Sequence, residues 1–488
     1  MMTYETGYVA RGTTQPRRLR PLLPLLGLLA ALLSLTTGAC AAALTGELGA
    51  HDPSRITRCN GKYFLYVTGP NIPMRYSTDL THWTAGPPVL SGVPAWAHAA
   101  VPRARGEFVW APDVVFLNSK YYLFYAFSTF GSRVSVIGLV TSPTLDPTRA
   151  DYHWTDQGEV IGSDNGSSYN AIDPCPAFDA HGGLWLSFGS WNRGGIQIVP
   201  LDKKTGKPAG PPVPIVKGQR TGPEGSFVWY HKGYYYVFEN EGLCCQGVNS
   251  TYRIMVGRSK AITGPYIDKQ GRDLAQGGGT LFLGTDGRRF GPGQVGIYSE
   301  RGTDRLTFHY YDGTANGRPT LGLETLEWDK DDWPRVRADV SQPAKNGIEG
   351  RYLIISKATG LALSIPVSFP RDGSPLDLSR DTGDAMQQWN VSPIGDGSLC
   401  IASLGDGKFL DLGSCNPADG TMIDQYRWLN NDCQRWRIEV TSDGAYRIVS
   451  KSTGSVVAAP AGVKPPDAPV QEHAWTGDSD QEWYFRRL

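Results

Sequence analysis

The chain has 488 residues, with 47 basic and 47 acidic side chains and a formal net charge of zero. It therefore has no net field to gather nucleic acid or an anionic membrane surface. Its 14 Trp and 23 Tyr exceed what a core alone usually needs, and flat rings stack on sugars.

At the start, Arg17, Arg18 and Arg20 precede an apolar run over residues 22–33 and then small residues to Ala43. This is the order of regions in a secretory signal. Residues 1–43 are expected to be a targeting segment cleaved near Ala41–Ala43, leaving a secreted protein with no membrane attachment. The run also almost spans a bilayer, so an uncleaved anchor stands as the alternative.

Residues 44–338 carry a repeated aromatic strand. Gly61-Lys62-Tyr63-Phe64-Leu65-Tyr66 recurs as Lys120-Tyr121-Tyr122-Leu123-Phe124-Tyr125, as Gly183-Leu184-Trp185-Leu186-Ser187-Phe188 and as Gly233-Tyr234-Tyr235-Tyr236-Val237-Phe238. A weaker fifth copy covers residues 304–310. Short aromatic and branched runs entered through Gly or polar turns are strand signals. No long segment between residues 50 and 335 has helical apolar periodicity. Five such units predict an all-β, five-bladed β-propeller, with a stacked β-sandwich array as the other reading.

Within this region three short segments each set one acid beside Pro or Gly: His51-Asp52-Pro53-Ser54, Ala171-Ile172-Asp173-Pro174 and Pro223-Glu224-Gly225-Ser226. Any one alone reads as a turn. Placed on blades one, three and four of a propeller, they can meet at its axis and perform acid/base hydrolysis of an acetal.

These motifs, with Trp110-Ala111-Pro112-Asp113, residues 128–132, Leu186-Ser187-Phe188-Gly189-Ser190-Trp191 and the run 244–252, resemble glycoside hydrolase family 43. The last of them resemble its endo-1,5-α-L-arabinanase group. The resemblance implies inverting hydrolysis of α-1,5-arabinan, a plant cell-wall polysaccharide, by a secreted monomer. It implies Asp52 as general base, Glu224 as general acid, and Asp173 as the group that tunes and orients Glu224. Trp110, Phe130 and Asn170 would line the sugar cleft. Like-charge repulsion from Asp173 would raise the pKa of Glu224. Family members usually carry His in a Gly-Pro-Gly-His segment that helps to hold an axial calcium; here the residue is Gln294. Its amide oxygen suits a hard cation, so a structural Ca2+ is expected there and a catalytic metal is not. Exo-acting arabinofuranosidases, xylan- or galactan-cleaving relatives and a non-catalytic sugar-binding propeller are the alternatives.

After a linker over residues 339–347, residues 348–488 repeat differently. Gln387, Gln434 and Gln481 each open a Gln-x-Trp triplet at a period of 47 residues. Three equal β-rich units of this kind resemble the ricin-type β-trefoil, a lectin fold. Sugar binding in that fold implies an Asp and an aromatic ring per repeat. The Asp positions hold Ser364, Asp411 and Ala458, and the ring positions hold Ser379, Tyr426 and His473. One site is therefore expected, built from Asp411, Tyr426 and Gln434; a packing or spacer domain is the alternative. The trefoil resemblance further implies a Cys400–Cys415 bridge. Adjacent Cys244 and Cys245 form either a vicinal disulfide in the cleft wall or two thiols, with no zinc-ligand spacing around them.

Overall fold

A computed structural model describes residues 44–190, 194–217, 222–285, 289–313, 315–336, 348–366, 371–441, 444–460 and 469–488. The expected targeting segment and the linker lie outside these residues. Among them the one α-helix is Ala95–Ala100, and no helix is long and apolar enough to cross a membrane.

Residues 45–336 form five separate sheets of four or five strands, antiparallel except where Thr45–Gly46 pairs in parallel with His82–Trp83 at the edge of the first. The aromatic repeat is an interior strand of each: Lys62–Tyr66, Lys120–Phe127, Leu184–Ser190, Tyr234–Glu241 and Thr303–Asp312. Period-2 alternation explains its composition, because both faces of each strand are covered. In the second sheet, Tyr121, Leu123 and Tyr125 pack with Phe64 and Tyr66 of the first. Their neighbours Tyr122, Phe124 and Ala126 pack with Leu184, Leu186 and Phe188 of the third. Three further cores join the third sheet to the fourth, the fourth to the fifth, and the fifth to the first. Five interfaces that close a ring make a propeller, and this rules out the stacked-sandwich alternative. The ring is fastened where residues 48–50 pair with Pro319, Thr320 and Leu321 of the fifth blade.

All five blades meet at Arg55. Its guanidinium binds Asp113 of blade two (Nη2–Oδ2 2.6 Å) and the carbonyl of Pro176 in blade three (2.5 Å). It also lies 4.7 Å from the Phe227 ring of blade four. Blade five approaches through Gly296, where a Cβ would stand 2.7 Å from the Arg55 backbone; only glycine fits there.

Residues 350–487 form a closed ring of six strands: Gly350–Ser356, Gln388–Pro393, Leu399–Ser403, Trp436–Val440, Tyr446–Ser450 and Trp483–Arg487. Three hairpins complete a β-trefoil. Trp389, Trp436 and Trp483 are fully buried in its single core. Each indole N–H donates to the carbonyl 26 residues earlier, at 2.9–3.1 Å. The trefoil docks on the propeller through Phe290, Tyr311, Cys400, Ala402 and Phe409.

Candidate active site

Each blade carries one residue with left-handed backbone where its inner strand reaches the axis: Asp52 (φ 44°), Ala111 (φ 40°), Asp173 (φ 57°), Gly225 (φ 58°) and Gln294 (φ 56°). That conformation costs a non-glycine residue roughly 1–2 kcal/mol and is held here by the surrounding sheets. It turns Asp52, Asp173 and the residue before Gly225, Glu224, toward a common cleft of about 880 Å³. Trp110, Phe130, Asn170 and Gln294 line the same cleft. Asp52 and Glu224, 172 positions apart in sequence, thus share one cleft.

Asp52 is tightly held. Its Oδ2 accepts the Thr68 hydroxyl at 2.7 Å and faces His51 Nδ1 at 2.8 Å, while Oδ1 lies 3.5 Å from His309 Nδ1. Burial by itself would raise this carboxyl, but the His51 charge and hydrogen bond, helped by the Thr68 hydroxyl, outweigh it and bring the pKa to about 2. His51 shifts the other way: burial would lower it, and Asp52 more than compensates. Burial and the neighbouring His51 hold His309 near about 3, so it stays neutral. The two imidazoles stack with centroids 4.3 Å apart.

Glu224 is in the opposite state. Burial raises its pKa first and the Asp52 charge adds to this, against a hydrogen bond from Tyr252 and the His51 charge. Asp173 accepts the Gly225 N–H at 3.0 Å. Burial, then Glu224 and Asp52, push it well above the usual carboxylate range. Asp173 and Glu224 repel one another, and burial first, then like charge, drives both carboxyls toward the protonated form.

Trp110 and Phe130 put their rings 4.9 Å apart in the cleft wall, and Phe130 is 78% exposed, as a stacking platform must be. Asn170 is buried, with its amide fixed by Ser135 (2.7 Å) and Ser190 (3.1 Å). Cys244 and Cys245 form a vicinal disulfide that also lines the cleft. The sequence reading missed His51, Thr68, Tyr252, His309 and Tyr311. His51 and Tyr252 lay inside quoted motifs, and His309 lay inside the fifth aromatic repeat, but no spacing links them.

A Cβ placed on Gly225 would stand 2.8 Å from Gln294 Oε1 and 2.9 Å from Asn240 Oδ1. Two neutral amide oxygens therefore lie beside the acids, the Asn240 one accepting the Gln294 N–H at 3.2 Å; their chemistry is of the kind a hard cation takes. His51, Asp52 and His309 also bring ligand atoms within 4.8 Å of one another, although Asp52 is already engaged by His51 and Thr68.

The model of the family described as Glycosyl hydrolases family 43 matches residues 47–334. The chain belongs to this family. It is a glycoside hydrolase. An extracellular exo-α-(1→5)-L-arabinofuranosidase of Cellvibrio japonicus is 37% identical over 320 residues, which is 62% of this chain and 91% of that protein. An extracellular endo-α-(1→5)-L-arabinanase of Bacillus subtilis is 38% identical over 290 residues, 58% of this chain and 86% of that protein. Among solved structures, a Cellvibrio cellulosa α-L-arabinanase complexed with arabinohexaose matches with a TM-score of 0.57 at 37% identity. That match covers 60% of this chain and 96% of the other.

Behind this family 43 domain, a ricin-type β-trefoil lectin-like model matches residues 339–426 and 432–488. The three repeats align as expected: Ser364, Asp411 and Ala458 pair across their hairpins with Asp377, Asp424 and Gln471. Asp411 and Tyr426 share one hairpin face, because Phe409 pairs with Tyr426 and Asp411 with Asp424. Gln434 does not fit the expected sugar contact. It is fully buried, accepting from Leu429 N at 2.6 Å and donating to the Arg427 carbonyl at 2.7 Å. Gln387 and Gln481 make the equivalent bonds, so this glutamine holds a loop. The expected Cys400–Cys415 bridge is also corrected. Cys415 pairs with Cys433 across a Cα separation of 5.5 Å, while Cys400 points into the core between the domains.

Proposed function

We propose that this protein is secreted and hydrolyses α-1,5-linked L-arabinan by single displacement with inversion. The observation that carries this is the opposed state of two acids in one cleft: Asp52 held near about 2 and Glu224 raised. Ionised Asp52 accepts a proton from a water on one face of the sugar while protonated Glu224 gives its proton to the leaving oxygen on the other. Thr68 and His51 fix the base, Tyr252 orients the acid, and Asp173 braces the Gly225 turn behind it. The names of the 37% and 38% identical relatives support arabinan as substrate.

A structural cation, if bound, would be held by Gln294 and Asn240. It would supply positive charge and rigidity at the cleft floor while the proton transfers remain with the side chains. The trefoil hairpin with Asp411 and Tyr426 serves as a carbohydrate-binding appendage in this reading.

The test is hydrolysis of linear arabinan followed by proton NMR within the first minutes. Initial release of the β-anomer supports inversion, and initial α-anomer overturns it. Product sizes then separate internal cleavage, which gives mixed oligosaccharides, from exo action, which gives one short product from the start.

A further inference from the structure

A second hollow, of about 270 Å³, adjoins the catalytic cleft. Leu243 and Gln246 line both spaces, so the two lie side by side along the propeller loop 243–251. The facing wall is trefoil: Asp372, Lys408, Arg427 and Trp428. The hollow is built into a packed interface. Phe290 of the propeller meets Phe409 of the trefoil at 5.5 Å, and Phe409 meets Trp428 at 4.7 Å. Arg253 of the propeller donates to the Gly405 carbonyl of the trefoil. Tyr311, in the same buried cluster, reaches His51 at 2.8 Å, so this interface is also the outer support of the active site.

The lining suits a sugar. Trp428 supplies a flat apolar surface, the part of recognition that stacks on a ring. Asp372 binds Arg427 at 2.5 Å and Lys408 at 3.4 Å, so both cations are engaged by one carboxylate and the three groups present oriented donors and an acceptor, with a net charge of +1. Donors and an acceptor beside a flat ring match the hydroxyls and the apolar face of a glycan. Neither domain alone forms this surface.

We infer that the hollow between loop 243–251 and the trefoil is an accessory glycan subsite, occupied by the continuation of an arabinan chain whose scissile bond lies in the catalytic cleft. This rests on the arabinan reading and assigns the trefoil a second role, as a wall of the enzyme's own substrate groove.

The experiment compares wild type, Trp428→Ala and Arg427→Ala in the full chain, with arabinotriose and linear arabinan as substrates. Losing such a contact removes uniform binding, so KM for linear arabinan should rise about five-fold with kcat unchanged. Arabinotriose kinetics should not change. Arg427 is exposed, so its variant tests the point even if Trp428→Ala unfolds the interface. Unchanged KM for linear arabinan in Arg427→Ala overturns the subsite. An equal effect on triose and polymer also overturns it, because the residue would then act through the catalytic cleft. Failure of wild type to cleave either substrate removes the arabinan reading itself, and the subsite with it.

Discussion

His51 Nδ1 stands 2.8 Å from Asp52 Oδ2, and its other ring nitrogen lies 2.8 Å from the Tyr311 hydroxyl. This contact keeps Asp52 ionised despite its burial. In His51→Gln the carboxyl loses its nearest positive charge, and burial raises its pKa. The acid limb of the kcat/KM profile should therefore move to higher pH, with the alkaline limb, set by Glu224, shifting much less. An unmoved acid limb would separate His51 from the ionisation of the base.

Substitution of the acids separates catalysis from folding. Asp52→Ala, Asp173→Ala and Glu224→Ala should each lower turnover by roughly 10²–10⁴-fold, the range for a lost acid/base group. Melting temperatures should stay near wild type, because each acid opens onto the cleft. If Glu224→Ala keeps more than about a tenth of wild-type turnover, Glu224 is not the proton donor.

Arg55 and Asp113 carry a structural prediction. Their side chains are 13% and 3% exposed, and removing one partner leaves the other charge buried. Arg55→Met should cost about 3–5 kcal/mol of propeller stability in denaturant titration. The double variant Arg55→Met, Asp113→Leu should recover part of that loss. A single variant as stable as wild type would mean that the axis is held by apolar packing alone.

In the trefoil, Asp411 and Asp424 face one another across a hairpin, and both pKa values are pushed up to about 7, by burial first. A carboxyl raised on folding takes up protons more readily in the folded state. Its contribution is fully present below about pH 4 and is lost as pH rises toward 7. Asp424→Asn should flatten that decline and raise the trefoil melting temperature at pH 8. Parallel melting curves from pH 4 to 8 for wild type and variant would refute the raised carboxyl pair. Asp411→Ala should abolish sugar binding at this hairpin; binding that survives would place the lectin site elsewhere.

Gln294 and Asn240 give the metal prediction. EDTA should lower the melting temperature by a few degrees and leave most activity, with calcium restoring the loss. Complete inactivation reversed only by a transition metal would implicate His51, Asp52 and His309 instead.

The strands, the number of blades and the acids that come to line one cleft were legible because local chemistry states them. Tyr121 to Phe127 alternates between two buried faces, Gln-x-Trp recurs at one period, and each acid sits beside Pro or Gly. These signals need only neighbours in the chain.

What the tertiary structure decided were relations between distant residues. His309 reaches Asp52 across 257 positions, and Arg55 reaches blades two, three and four, yet neither pairing leaves a local pattern. Cys415 pairs with Cys433 because strand direction sends Cys400 into the inter-domain core, and sequence separation carries no information about direction. The state of Glu224 depended on burial as well as on charge, and burial exists only once the blades have closed around it. The hollow beside loop 243–251 depends on how two separately readable domains dock, a fact written in neither repeat.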